Sequence, residues 1–584
     1  MSRESFTIRG PIESGQDVAD AVSMEFQRLD ALKAVAIERW REVKAYQIAT
    51  DTGDLPQVNS FDHTVHQPIV STISQDLKAI LLQVVLPHED WFSFKAYDLE
   101  AVAAKESIIS FLKNRHAMNG FESLVGKLRS DLVDYGNCFS TVKHVDESVG
   151  ENEGYIGPKP FRISPYDIVF NPKAPDFDST YKIIREDISV GELLRRGQNG
   201  TFPLDVVKKI LAEKAHAATE STDDHKNMEY VPRGFGTYQD YLMGTNIEVL
   251  WFYGDIYVEN EIELQESRMV VVANRELVID EKIDTIDGRP LVFKSGWEDM
   301  GDNLWSMGPM ENITGINYLA NHRENSKNEG LDRMIYPDKV VLGDVEEVYD
   351  DETGTITYIG DESAQVSDLP INSQFLSFDL QVDRATHTAR QAARLPSDLT
   401  GFRSQGEKTL GEVTALTDGG MRGFIDKAAE FERTTLVRIL AAEVQLAQKH
   451  FVEVFEVPTK SKSGFLQMLD INKADLSVRG ALVPQGAKRF ARKNQMLSSL
   501  TQLSQTPLFE LASPHMSSKG AAEIIDDLLE TEDTNLFKKD AQVLEGSEQQ
   551  KLMNQQEQSL ALSSAQPTAG EVEIEQELEE LQDE

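Results

Sequence analysis

A single cysteine, Cys138, in 584 residues excludes an intramolecular disulfide and any zinc cluster built on cysteine. It fits a reducing compartment. Positive charge is also scarce: 58 Lys and Arg stand against 98 Asp and Glu, a formal net charge of -40. So acidic a chain does not grip nucleic acid over most of its surface. It suits a self-repelling particle, or a wall past which nucleic acid slides without sticking. No window approaches about 18 uninterrupted apolar residues, so no transmembrane helix is expected. The opening MSRESFTIRGPIES has no apolar stretch, so neither is a secretory leader. Catalytic signatures are missing too: no HExxH, no GxSxG elbow, no Cys/His motif beside Cys138. Neither an enzymatic activity nor a cofactor is expected.

What is there is a chain too long for one compact core. Residues 16–48 predict a helix whose apolar stripe is Val18, Ala21, Val22, Phe26, Leu29, Leu32, Val35 and Trp40. A second helix is expected over 66–90 and two more over 99–145, the later one running through FESLVGKLRSDLVDYGNCFSTV. From residue 155 short strands and turns take over. Hairpin turns are expected at Gly254-Asp255 and Ala273-Asn274, and an exposed polar loop over 200–240. Pro309 marks a helix start and Gly330 its stop. Residues 335–378 alternate like a small β insert turning at Thr353-Gly354, and a helix over 379–395 closes at Pro396. The longest helix is expected over 411–450, on the stripe Met421, Phe424, Ala428, Phe431, Leu436, Leu440 and Leu446. From about 546 the chain is Gln/Ser/Glu-rich, the composition of a flexible acidic tail.

Local motifs are mostly negative. GFRSQGEKT at 401–409 approaches a phosphate-binding loop, but Glu407 stands where the lysine belongs, and a carboxylate there repels phosphate. His63 and His66 have metal-ligand spacing without a third ligand, so capping or surface roles are favoured. The acidic run Asp350, Asp351 and Glu352 lacks calcium-loop spacing. Two basic clusters remain: Lys488, Arg489, Arg492 and Lys493; and Arg384, His387, Arg390 and Arg394, of which 387, 390 and 394 are expected to share a helix face. Arg403 and Lys408 follow in the Gly-rich loop. Ion pairing within or between subunits is one role for these bases; sequence-independent phosphate contact is the other.

Taken in order, LLQVVLPHEDWFSF, SDLVDYGNCFSTVKHV, FRISPYDIVFNPKAP, VVVANRELVIDE with RPLVF, MGPMENITGINYLANHREN with RMIYP, and TLGEVTAL before a long helix resemble a tailed-bacteriophage portal protein of the podovirus-like connector type. The resemblance spans roughly 16–545. It implies an α+β, mainly helical portal fold assembled into a ring, usually a dodecamer. Residues 1–300 would be the wing, 301–334 the first stem helix, 335–378 the clip and 379–395 the second stem helix. Residues 396–411 would be the tunnel loop, 412–450 the long helix, 451–496 a return to the wing, 497–545 the crown and 546–584 the tail. The implied function is a channel at one capsid vertex through which double-stranded DNA is packaged and ejected. The implied partners are other copies of the chain, the DNA, the major capsid protein, the terminase large subunit, a head-tail adaptor or tail protein, and a scaffolding protein. No membrane is involved; the location is the virion, and the host cytoplasm during assembly. Arg403, Lys408, Arg384, Arg390 and Arg394 are the expected DNA-channel residues. Asp350, Asp351 and Glu352 are the expected clip residues for motor or adaptor docking. The rival classes are another virion structural protein such as a head-tail adaptor, and a metal-dependent hydrolase.

Overall fold

The computed structural model describes residues 3–10, 12–49, 64–86, 91–147, 154–214, 246–335, 339–342, 365–368, 377–395, 423–450, 455–460 and 466–487. All belong to one compact unit, Met1–Lys488. The basic cluster Lys488, Arg489, Arg492 and Lys493, the expected crown and the acidic tail lie outside the described residues, as does His63. The fold is mixed α and β with no closed barrel.

After β1 (Ser5–Ile8), Ser14 starts α1 (Gly15–Ile48), its backbone N–H donating to Asp17 Oδ2 at 2.8 Å. This is half of a capping box, and it sets the helix start. α1 buries Val18, Val22, Phe26, Leu29 and Trp40 as expected, but Leu32 and Val35 face solvent, 54% and 72% exposed. Lys33 takes the inward place between them, because its ammonium finds the carbonyls of Tyr166 (2.6 Å) and Ile168 (3.2 Å) and the Asp30 carboxylate (3.0 Å). Burial pushes its pKa below the ordinary lysine value.

Next come α2 (Ile69–Val85), β2 (Phe92–Ala96), α3 (Leu99–Asn119) and α4 (Phe121–Tyr135). α4 stops earlier than expected. Gly136 turns the chain with φ 68°, and NCFSTV opens β3 (Asn137–Asp146) instead of extending the helix. β4 (Ile156–Ile163) and, later, β10 (Val292–Gly296) flank β3 antiparallel. Trp40 of α1 packs edge-on against Tyr135, Tyr166 and Trp305 at 5.4–5.6 Å between ring centroids, the centre of the core beneath this sheet.

The larger sheet holds β5 (Ile168–Phe170), β6 (Lys182–Ser189), β7 (Asn246–Val258), β8 (Glu263–Ala273) and β9 (Glu276–Lys282), in that order. β1 pairs parallel with the far half of β7, where β6 has ended. Gly254-Asp255 is therefore a bulge inside β7, not a turn. A Cβ at Gly254 would lie 2.4 Å from the Tyr181 Cβ, so only glycine fits. The β8–β9 turn falls at Asn274-Arg275, both with positive φ (49° and 66°), one residue beyond the expected site. β7 alternates between cores: Leu250 and Phe252 pack on α1, Ile247 and Val249 on the opposite face. That second face is covered by α5 (Val190–Gln198) and α6 (Leu204–Lys214). The start of the expected 200–240 loop is thus helix, with Phe202, Val207 and Ile210 buried.

β11 (Glu298–Met300) and β12 (Asn303–Met307) form a hairpin before α7 (Thr314–Ile335). Pro309 precedes that helix by a turn and does not start it. β13 (Lys339–Leu342), β14 (Gln365–Asp368) and α8 (Phe378–Ala392) follow. α9 (residues 423–449) contains a π-helical turn, Glu432–Leu436, before its final segment Val437–Lys449. β15 (Phe455–Lys460), β16 (Leu466–Ile471), α10 (Lys473–Leu476) and β17 (Gly480–Pro484) complete the unit, β17 pairing with β2.

Candidate nucleic-acid interface

Of the expected DNA-facing bases, Arg384 and Arg390 sit on α8 and Arg394 just past its end, so what fixes α8 fixes them. The anchor is α7. Asn317, Asn321 and Asn325 recur every fourth residue, so they share one helix face, and all are at most 1% exposed. Each carboxamide oxygen accepts a backbone N–H from the chain entering α2: Val70 (3.0 Å), Gln67 (2.8 Å) and Val65 (2.9 Å). The Asn321 amide also meets His66 Nδ1 at 3.1 Å, and His66 Nε2 reaches the Tyr46 carbonyl at 3.2 Å. With Nδ1 accepting, Nε2 carries the proton. His66 is thus a link in a buried network, in line with a capping role.

α8 packs on α7, and its small residues Ala385 and Ala389, with Ala393 just past its end, are buried at four-residue spacing. Lys327 of α7 closes the rim, bonding Asp379 at 2.7 Å and Glu324 at 2.9 Å. Those contacts, Asp379 first, raise its pKa. Between the two helices in sequence, β13 and β14 pair antiparallel, Lys339 opposite Asp368 and Leu342 opposite Gln365. Asp350, Asp351, Glu352 and the expected Thr353-Gly354 turn lie outside the described residues.

The outward face of α8 carries Arg384 and His387, three residues apart and both exposed. Among the described residues neither makes an ion pair. Arg390 is half-buried beside them. Arg394 does not share their helix face, because α8 ends at Ala392. There the Arg394 N–H donates to the Gln391 carbonyl (3.0 Å) and the Leu395 N–H to the Arg390 carbonyl (3.0 Å), with Arg394 at φ 57°. This is a Schellman stop with arginine where glycine is usual. The Arg394 side chain runs beside Gly423: a methyl group there would sit 3.8 Å from its Cδ. The two ends of segment 396–422 therefore adjoin. Arg403 and Lys408 fall in that segment, outside the described residues.

α9 leaves this neck on a buried stripe of Phe424, Ala428, Phe431, Leu436, Leu440 and Leu446. The π turn points Glu432 inward, and its Oε1 accepts the Ala487 N–H at 2.7 Å. Among the described residues no cluster of His, Cys, Asp and Glu could hold a metal, and no helix is long and apolar enough to cross a membrane. No family model matches the chain, and no curated protein matches it.

The helix positions of Arg384 and His387 are readable from their spacing. The asparagine ladder is not among the sequence expectations, although N-x3-N-x3-N is visible in NYLANHREN. Nor are the buried acids Asp131 and Asp134, whose signal is a pair of aspartates on the apolar face of α4.

Proposed function

We propose that this chain is a portal subunit, copies of which form a ring around a channel for duplex DNA at one capsid vertex. One observation carries the reading. Two packed helices bracket an antiparallel β pair, and the second helix hands the chain to a segment whose ends adjoin before a long helix leaves. A ring subunit can use such a segment as a projection into a central hole without disturbing the body that carries it. The surface chemistry supports the same use. At about 0.15 M salt the screening length is about 8 Å, so acidic walls repel phosphates only at close range. A few bases, Arg384 and His387 on α8 with Arg403 and Lys408 beyond, give weak contact that ignores sequence. The major capsid protein, terminase, adaptor and scaffolding partners belong to this proposal, as does docking through Asp350, Asp351 and Glu352.

Electron microscopy of the full chain should show closed rings with a central hole wide enough for duplex DNA. Native mass spectrometry should give close to twelve times 65.4 kDa. A monomer or dimer that persists across salt and concentration would overturn the reading. Within rings that assemble normally, Arg403→Ala with Lys408→Ala should weaken retention of packaged DNA by roughly two- to fivefold for each side chain removed, the worth of an exposed ion pair. Genome retention equal to that of the unaltered chain would remove these two residues from the channel.

A further inference from the structure

We propose that the C-terminal end of α9 is a pH-sensitive latch, closed by the stacking of His144 on His450 and loosened when His144 takes up charge. The His144 ring of β3 lies on the His450 ring with centroids 4.3 Å apart and planes at 15°. His450 closes α9, its N–H donating to the Leu446 carbonyl at 2.9 Å. Neutral imidazoles stack favourably at this distance; two imidazolium rings repel.

The surroundings favour the neutral form of His144. Arg115 of α3 is a third cationic group here, donating to the Ile156 carbonyl at 2.9 Å and lying over the Tyr155 ring at 5.4 Å. Asp146, two residues along β3, counters them at His144. Burial first, then His450, hold the His144 pKa below the ordinary histidine value, and Arg115 adds to both. The sign follows. Above the ordinary value of 6.5 both states are neutral and the contact is complete. As pH falls below that value, the unfolded chain takes up a proton that the folded chain resists, so stability drops.

Two turns earlier, α9 makes a second contact with a histidine. Glu443, fully buried, meets His116 Nε2 of α3 at 2.9 Å. That contact ties α9 to α3, so the release is confined to the last two turns of α9, between Glu443 and His450. This inference rests on the fold alone and does not depend on the portal reading.

Amide hydrogen exchange of the full chain at pH 7.5 and 5.5, corrected for intrinsic rates, tests it. Residues 446–450 should lose protection on the order of tenfold at the lower pH, while 437–443 keep theirs. His144→Gln and His450→Gln should each abolish that difference, and the exposed control His387→Gln should leave it intact. An equal loss of protection in His144→Gln or His450→Gln would overturn the latch. So would a loss spread evenly over 423–449.

Discussion

Replacing Asp134 with alanine should cost about 3–5 kcal/mol, the penalty for stranding buried charges. Asp134 of α4 is 3% exposed and gathers two neighbouring helices. From α1 it receives Lys44 (2.9 Å) and Gln47 (2.9 Å); from α2 it receives Lys78 (2.6 Å) and Ser74 (3.0 Å). Burial alone would raise its pKa, but Lys44 and Lys78 outweigh burial and hold it at about 2. Without it, two ammonium groups with side chains 12% and 21% exposed lose their counter-ion. The acid limb gives an independent check. The folded pKa is depressed, so this stabilisation is complete above 3.8 and is lost as pH falls towards 2. The interval from 3.8 to about 2 corresponds to about 2.5 kcal/mol. Asp131, one turn away, works in the other sense: burial raises it to about 6 despite the Arg162 guanidinium at 2.7 Å. Its contribution therefore declines as pH rises from 3.8 to about 6. Unfolding curves taken from pH 7 to pH 2 should show a steep loss below pH 4 that Asp134→Asn flattens. An unchanged acid limb in that variant would remove Asp134 from its central position.

That hub also bears on the candidate interface, because polar ties run from it to α8. Asp134 fixes α2, the asparagine ladder fixes α7 to the chain entering α2, and the Lys327–Asp379 contact ties α8 to α7. Sequence shows the beginning and end of that series better than its middle. Helical period and Pro/Gly punctuation reveal α1, the helix–β–helix plan and the helix that carries Arg384 and His387, because those signals are local. Even the π turn leaves a trace: the stripe of α9 steps from Phe431 to Leu436, five residues, the spacing of an i→i+5 turn. Partners distant in the chain leave none. Lys33 points inward because carbonyls at 166 and 168 await it, and nothing near residue 33 announces them. Leu32 and Val35 look apolar enough for the core, yet the helix has only one buried face and Lys33, Ala36 and Ile37 occupy it. Arg394 reads as a helix-face residue because a helix that stops at a non-glycine residue gives no warning.

Gly136→Ala is the second change expected to be severe, and Gly120→Ala is its control. Both glycines have left-handed backbone, φ 68° and φ 70°, so alanine carries the same conformational penalty at each, about 1 kcal/mol. Their surroundings differ. Around Gly120 a Cβ meets nothing within 4 Å. At Gly136 it would lie 2.3 Å from the Gly308 backbone nitrogen and 2.4 Å from the Met307 carbonyl carbon. No rotamer relieves a clash between backbone and backbone. The approach is locked from both sides: the Trp297 N–H donates to the Gly136 carbonyl at 2.9 Å, and the Asn137 side chain both donates to the Ser306 carbonyl (2.8 Å) and accepts the Ser306 N–H (2.9 Å). Adding overpacking to the left-handed penalty brings the expected loss for Gly136→Ala to about 3–4 kcal/mol, against about 1 kcal/mol for Gly120→Ala. Thermal melts of the two variants side by side measure the difference; equal midpoints would show that the corner has room. The corner matters beyond stability, because residues 307–308 lead into the turn that enters α7. Gly308 donates its N–H to Glu311 at 3.0 Å, and Glu311 pairs with Arg39 of α1 at 3.0 Å. A methyl group at 136 would push that entry away from α1 and carry the asparagine ladder with it. Under the portal proposal, Gly136→Ala should therefore disturb the α7–α8 pair and DNA retention together, whereas removal of the Arg403 and Lys408 side chains should affect retention alone.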